Sequence, residues 1–240
     1  MVGDKNEKRA DHHLLLLENE ELVLREFLEF FRKIDPDIVI GWHVIGFDLS
    51  FLEKKCRKYK IPFNLGRAGS RLVIQEKKGA GHFAKMDGRI VIDGPQVLRG
   101  AGFQFENFKL DTVANELLGQ GKDIGSENSN DKVGEIERRF REDKNALALY
   151  NLLDCTLVLD IYEKTKILEL LKTQSKLSGL LLDRVGVSTA SFDFFMLPKI
   201  HRKGIVASNI VDIQREAPNS GGYVLSPEAG FYEHVLVFDF

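Results

Sequence analysis

Two clusters in this sequence have residue types and spacing that suit catalysis. The first is Gly41-Trp42-His43-Val44-Ile45-Gly46-Phe47-Asp48. It follows the apolar run Ile38-Val39-Ile40 and precedes a stretch of helical pattern. A strand that hands over to a helix is where ligands gather in open α/β sheets, at the carboxyl end of the strand. The second is Tyr150-Asn151-Leu152-Leu153-Asp154, inside a long segment of helical pattern. A spacing of four puts the Tyr150 hydroxyl and the Asp154 carboxylate on one helix face. Each aspartate also has an ordinary reading. Asp48 beside a helix start suits a cap, with its carboxylate accepting from free amides. Asp154 suits a hydrogen bond to Tyr150 or a salt bridge. Taken together they fit two-metal phosphoryl chemistry. That chemistry needs hard oxygen ligands for Mg²⁺ or Mn²⁺, and the metals stabilise the attacking and leaving oxygens of an in-line displacement. A tyrosine hydroxyl orients the attacking water. Asp48, Tyr150 and Asp154 make half of such a site, and further carboxylates have to come from elsewhere.

The elements that position these residues read as an α/β arrangement. Residues 19–31 form an amphipathic helix, with Leu22, Val23, Phe27, Phe30 and Phe31 on a broad apolar side. Asp35-Pro36-Asp37 breaks it. Ile38-Val39-Ile40 has the uniform apolarity of a strand buried on both faces, and a second helix covers residues 48–59. Helix, buried strand, loop and helix in this order predict an α/β sheet. Residues 71–76 and 82–86 read as strands joined through a Lys77-Lys78 loop, whose lysines suit a solvated tip better than a phosphate contact. Asp87-Gly88 predicts a type I′ hairpin turn from residues 82–86 into residues 89–93. Asp111 is expected to cap a helix that Gly119 stops. Residues 121–132 read as a polar loop, and residues 136–140 and 144–171 as helical. Residues 188–201 are helical with a break near Pro198, and Val235-Leu236-Val237-Phe238 reads as a last strand. Trp42 is expected as an anchor rather than a base-stacking platform, and Phe103, Phe105 and Phe108 as packing residues. A chain that stops directly after a strand, at Asp239-Phe240, reads as a piece of a longer protein.

Composition narrows the class. The chain has 240 residues, 43% hydrophobic and 29% charged, with a formal net charge of −2. It is long enough for one sizeable core. The balanced charge excludes a module that holds nucleic acid by phosphate neutralisation alone. The two cysteines, Cys56 and Cys155, are far apart and have no zinc spacing. A disulfide framework is therefore not expected, and a reducing compartment fits. No apolar run has the length of a membrane span, and the polar start has no secretory core. His12-His13 reads as a solvated segment. The expectation is a soluble, cytoplasmic protein.

Several of these stretches resemble family B DNA polymerases. Residues 42–48 are similar to the second motif of their 3′→5′ exonuclease, and residues 150–154 to the third. Asp35-Pro36-Asp37-Ile38-Val39-Ile40-Gly41-Trp42 resembles the approach to the second motif. Arg89-Ile90-Val91-Ile92-Asp93-Gly94 and residues 112–119 resemble the connecting region. Ser220-Gly221-Gly222-Tyr223-Val224 looks like the glycine motif between exonuclease and polymerase domains, and Val237-Phe238-Asp239-Phe240 like the start of the first palm strand. The bacterial DNA polymerase II subgroup is the nearest match.

The resemblance implies a ribonuclease H-like exonuclease fold over residues 1–180. A connector and the first palm strand would come after it, over residues 181–240. It implies Asp48, Tyr150 and Asp154 as catalytic residues and Asp48 and Asp154 as metal ligands for Mg²⁺ or Mn²⁺. Asp239 would be a catalytic ligand of the polymerase site. His43, Phe47, Gly221, Gly222 and Tyr223 would contact DNA. The partners implied are the single-stranded 3′ end of a primer, dNTP for the parent polymerase and a sliding clamp. Three departures stand out. The Asp-x-Glu of the first exonuclease motif is not visible upstream of Gly41. His43 stands where the family has Asn, and Asn219 where the glycine motif has Tyr. The expected outcome is a parent enzyme that proofreads and an isolated chain with an incomplete metal site. The alternatives are a nucleic-acid-binding domain that kept the fold and lost the site, and a stand-alone exonuclease of the same superfamily.

Overall fold

The computed structural model describes residues 1–3, 7–8, 13–77, 81–119, 129–184, 188–212, 226 and 228–236. The chain divides into two units, Met1–Pro198 and Lys199–Phe240.

The first unit is mixed α/β. Short strands β1 (Glu7–Lys8) and β2 (His13–Leu14) pair antiparallel. Helix α1 (Glu20–Ile34) starts where the Asn19 side chain accepts from the Leu22 amide at 2.9 Å. Acidic Glu20 and Glu21 in its first turn and basic Arg32 and Lys33 in its last match the helix dipole. Asp35, left-handed at φ 50°, ends it.

The chain then enters β3 (Ile38–Gly41), which pairs in parallel with β6 (Ile90–Asp93) in the register Ile38↔Ile90 to Gly41↔Asp93. Alternation across these strands separates two cores. Ile38, Ile40, Ile90 and Ile92 face a cluster with Leu98, Val113, Leu157 and Ile161. Val39 and Val91 face another with Leu24, Leu28, Leu49 and Leu65. The expectation that Ile38-Val39-Ile40 is buried on both faces does not hold, since all four residues of β3 are half-buried, whereas Val91 and Ile92 of β6 are buried. Among the described residues β3 is hydrogen-bonded to a strand along one edge only, so its apolar side chains are incompletely covered.

Three further expectations change in the first half. Strands β4 (Val73–Lys77) and β5 (Gly81–Lys85) form the antiparallel hairpin, but β5 and β6 do not form the next one. A single bridge, Met86↔Arg89, joins them before β6 turns to β3. The connecting turn is not type I′, which needs positive φ at both central residues. Gly88 has φ 73°, whereas Asp87 does not share the positive-φ conformation. Parallel pairing with β3 places the apolar β6 between two cores, and a plain hairpin would not. The predicted second helix begins earlier than expected, as a π-helical turn, Ile45–Leu49, continuing into α2 (Ser50–Lys58).

Helix α3 (Gly94–Gly100) follows β6 directly. Helix α4 (Leu110–Leu118) ends at left-handed Gly119 as expected, but Asp111 is not its cap. Lys109 precedes the first turn, and the Asn107 carboxamide oxygen accepts from the Lys109 amide at 3.0 Å and from the Thr112 hydroxyl at 2.8 Å. An asparagine two residues upstream closes the turn before Asp111 is reached.

Helix α5 (Ser129–Glu142) takes in the last part of the predicted polar loop. The long segment after it is two helices, α6 (Lys144–Thr165) and α7 (Ile167–Ser178). Left-handed Lys166 (φ 52°) breaks them, so that Ile161, Ile167 and Leu171 enter one core. Helix α8 (Ser188–His201) runs through Pro198 without the expected break. In the second unit, Val235 and Leu236 are exposed and in no strand, contrary to expectation, and the rest of that predicted strand lies outside the described residues. Among the described residues no helix is long and apolar enough to cross a membrane.

Candidate active site

Parallel pairing brings the carboxyl ends of β3 and β6 to one edge, with Gly41 beside Asp93. The chain leaving Gly41 is held tightly there. The Trp42 indole N–H donates to the Phe108 carbonyl at 2.9 Å. Its ring lies over Gly94, where a Cβ would come within 2.6 Å of Trp42 Cε3. Trp42 is thus the expected anchor. His43 is left-handed, φ 56°. Its amide donates to Asp93 Oδ1 at 3.2 Å, and the Ile45 amide donates to Asp93 Oδ2 at 3.3 Å. The π-helical turn begins here, with the Leu49 amide on the Val44 carbonyl at 2.8 Å. Such turns recur at functional sites because the wider ring re-aims side chains.

Asp48 lies within this turn, so it is not the helix cap its position allowed. It reaches solvent on one side and is packed on the other. Loss of water holds its carboxyl above the usual range, its own amide opposes this, the Asp93 charge adds to it and His43 opposes. Asp93 itself is buried and raised, again first by loss of water, with the Ile45 and His43 amides and the two histidines His43 and His82 pulling back. His82, on β5, packs against Gly46.

Helix α6 supplies the other wall. It is pinned by Ile161 and Tyr162, whose hydroxyl donates to the Ile92 carbonyl at 3.3 Å. Tyr150 and Asp154 are both half-buried, and Asp154 Oδ1 is shielded from solvent. Cys155 is next in sequence. Its thiol pKa is raised by loss of water, then by the charges of Asp154 and Asp48. The charges of both aspartates, far apart in sequence, thus act on one thiol.

The family model for the exonuclease domain of family B DNA polymerases matches residues 3–113. The chain is 41% identical over its full length to DNA polymerase II of Escherichia coli, spanning 31% of that protein. It is 30% identical to the DNA polymerase of Thermococcus kodakarensis over 94% of this chain and 13% of the relative. A DNA polymerase delta catalytic subunit of Dictyostelium discoideum is 24% identical over 92% of this chain and 21% of the relative. The chain is similar to the exonuclease region of the family B DNA polymerases, by the family model over residues 3–113 and by the Escherichia coli relative over its whole length. It spans about a third or less of the length of these relatives.

Asp48 follows the carboxyl end of β3, and Tyr150 lies one turn before Asp154 on α6; the charges of both aspartates act on Cys155. His43 and Phe47 flank Asp48, and both are exposed, Phe47 at 71%. Gly221, Gly222, Tyr223 and Asp239 lie outside the described residues, as do His12 and Lys78. Among the described residues no three His, Cys, Asp or Glu side chains come close enough together to hold a metal ion. The donor chemistry of Asp48 and Asp154 suits a hard divalent cation. Sequence reasoning passed over Asp93. A signal was present: Asp93 ends the apolar run Ile90-Val91-Ile92 as Gly41 ends Ile38-Val39-Ile40.

Proposed function

We propose that this segment contributes most of the 3′→5′ proofreading exonuclease of a DNA-directed DNA polymerase, on a ribonuclease H-like fold. What supports it is that Asp48 follows the carboxyl end of β3, parallel to β6, that the charges of Asp48 and Asp154 both act on Cys155, and that Tyr150 lies one turn before Asp154. Asp48 and Asp154 would hold Mg²⁺ or Mn²⁺. When bound, such ions stabilise negative charge on the attacking and leaving oxygens of the phosphodiester. The Tyr150 hydroxyl accepts a hydrogen bond from a water and aims it at the terminal phosphate. The exposed Phe47 ring offers a face to the terminal base, and the His43 ring offers a hydrogen-bond donor to the frayed strand.

In the same reading residues 1–180 are the partial nuclease domain, and residues 181–240 lead to the palm. There Gly221, Gly222 and Tyr223 would meet DNA, and Asp239 would bind metal for dNTP addition. The parent would act in the cytoplasm on a primer 3′ end, with a sliding clamp as partner. With half a ligand set, the isolated chain should cleave DNA weakly or not at all.

The test is Mg²⁺-dependent digestion of a 3′-mismatched primer by the intact polymerase and by this chain. Asp154→Ala should lower digestion by the intact enzyme by more than about 100-fold, beyond the usual cost of removing a supporting group around a metal. Vigorous digestion by the isolated chain, abolished by Asp154→Ala, would overturn the half-site reading. DNA binding indifferent to Mn²⁺ and to loss of both aspartates would favour a non-catalytic binding domain.

A further inference from the structure

Asp93 is a buried carboxylate that the proposed chemistry does not use. A buried charge is costly unless hydrogen-bonded. Both of its oxygens are committed to one turn, Oδ1 to the His43 amide and Oδ2 to the Ile45 amide. The backbone explains why that turn takes an anion. His43 is left-handed at φ 56°, and Val44 is right-handed at φ −59°, ψ −35°. Consecutive residues of opposite hand point their amides into one concavity, which binds anions. Here the protein fills the concavity with its own carboxylate.

We propose that Asp93 is a positioning residue of the nuclease, clamping the 43–45 turn so that Asp48 and Phe47 are presented to the substrate. The inference rests on the nuclease reading given above. The clamp lies between fixed points. Asp93 is in register with Gly41 on the paired strand. Trp42 is tied to Phe108 and seated on Gly94, immediately after Asp93. The π-helical turn that bears Phe47 and Asp48 begins at Ile45, whose amide is one of the two bound. Releasing the two amides frees a left-handed residue to relax, and Asp48 moves with it. Misplacing a reacting group by about 1 Å costs roughly 100-fold in rate.

The experiment uses the intact polymerase with a mismatched primer, comparing wild type, Asp93→Ala and Asp93→Asn. Asparagine keeps the shape and one acceptor oxygen, so it retains one of the two amide bonds. The expected result is a graded fall in exonuclease kcat, about 10- to 100-fold for alanine and less for asparagine. KM for DNA should stay within about twofold, and the Mg²⁺ concentration for half-maximal digestion should rise. Primer extension, run in parallel, reports on folding. Exonuclease kcat within twofold of wild type in Asp93→Ala overturns the proposal. So does a loss shared equally by digestion, extension and melting temperature, which would make Asp93 a fold residue only. If Asp93→Ala does not fold, full digestion by Asp93→Asn overturns it. Asp154→Ala separates the two readings: an active Asp154→Ala enzyme sinks the nuclease assignment itself, whereas an inactive one beside a normal Asp93→Ala sinks only the clamp.

Discussion

His43 occupies a left-handed position, and that conformation discriminates among side chains. Asparagine tolerates it well because its short polar group bonds locally. Asparagine and the histidine found here therefore differ in backbone cost. Replacing His43 with Asn should stabilise the protein by about 0.5 kcal/mol, a fraction of the strain such positions carry, read as a higher urea midpoint at unchanged slope.

Asp93 gives a pH signature whose sign follows from its burial. Its folded pKa lies above the ordinary 3.8, so the folded state keeps the proton to higher pH than the unfolded chain does. Stability then falls as pH rises from about 3.8 through the raised value and is level beyond it. Relative to Asp93→Asn, the wild type should lose stability across that window and run parallel above it, in urea titrations between about pH 3 and 7. A difference constant from acid to neutral pH would show that the carboxyl is not perturbed. Asp48 shifts in the same direction for the same leading reason, loss of water.

At the scale of elements, periodicity located most helices and misjudged their joints. Helix α1 follows from its apolar spacing, but Asn19, read as its first residue, is its cap. The break between α6 and α7 does not follow from spacing, because residues 144–171 contain no proline or glycine to announce it. Lys166 adopts φ 52° since both helices must present apolar faces to one cluster. A lysine there is strained where glycine would not be. Lys166→Gly should raise stability by about 1 kcal/mol, seen as a melting temperature increase of a few degrees. The β5–β6 turn errs in the same way. Asp87-Gly88 is a good turn sequence, but which strand receives β6 depends on the two cores that flank β3.

At the scale of the first unit, one buried arginine joins segments distant in sequence. The Arg89 guanidinium donates to the Leu65 carbonyl at 2.8 Å and to the Pro36 carbonyl, and pairs with Asp35 at 2.7 Å. It also lies over the Phe31 ring, 5.2 Å from its centre. Arg67 binds Asp35 and Asp37 from outside. The Asp35-Pro36-Asp37 corner that launches β3 toward the site is fixed by this network. Arg89→Ala leaves two carbonyls and a carboxylate short of a partner and should destabilise by about 3 kcal/mol. Chemical denaturation would show it, and a cost under about 1 kcal/mol would mean that water substitutes for the guanidinium.

The sequence by itself determined the elements that carry Asp48 and Asp154 and the hard-oxygen chemistry that both favour. Those facts are local, since they depend on apolar spacing, on a turn after a strand and on four residues along a helix. Tertiary structure alone decided that the charges of both aspartates act on Cys155, that β6 lies parallel to β3, and that Asp93 binds the turn at His43. Each is a contact between segments remote in the chain. It is fixed by how two apolar cores are filled on either side of one strand pair, which no local pattern encodes.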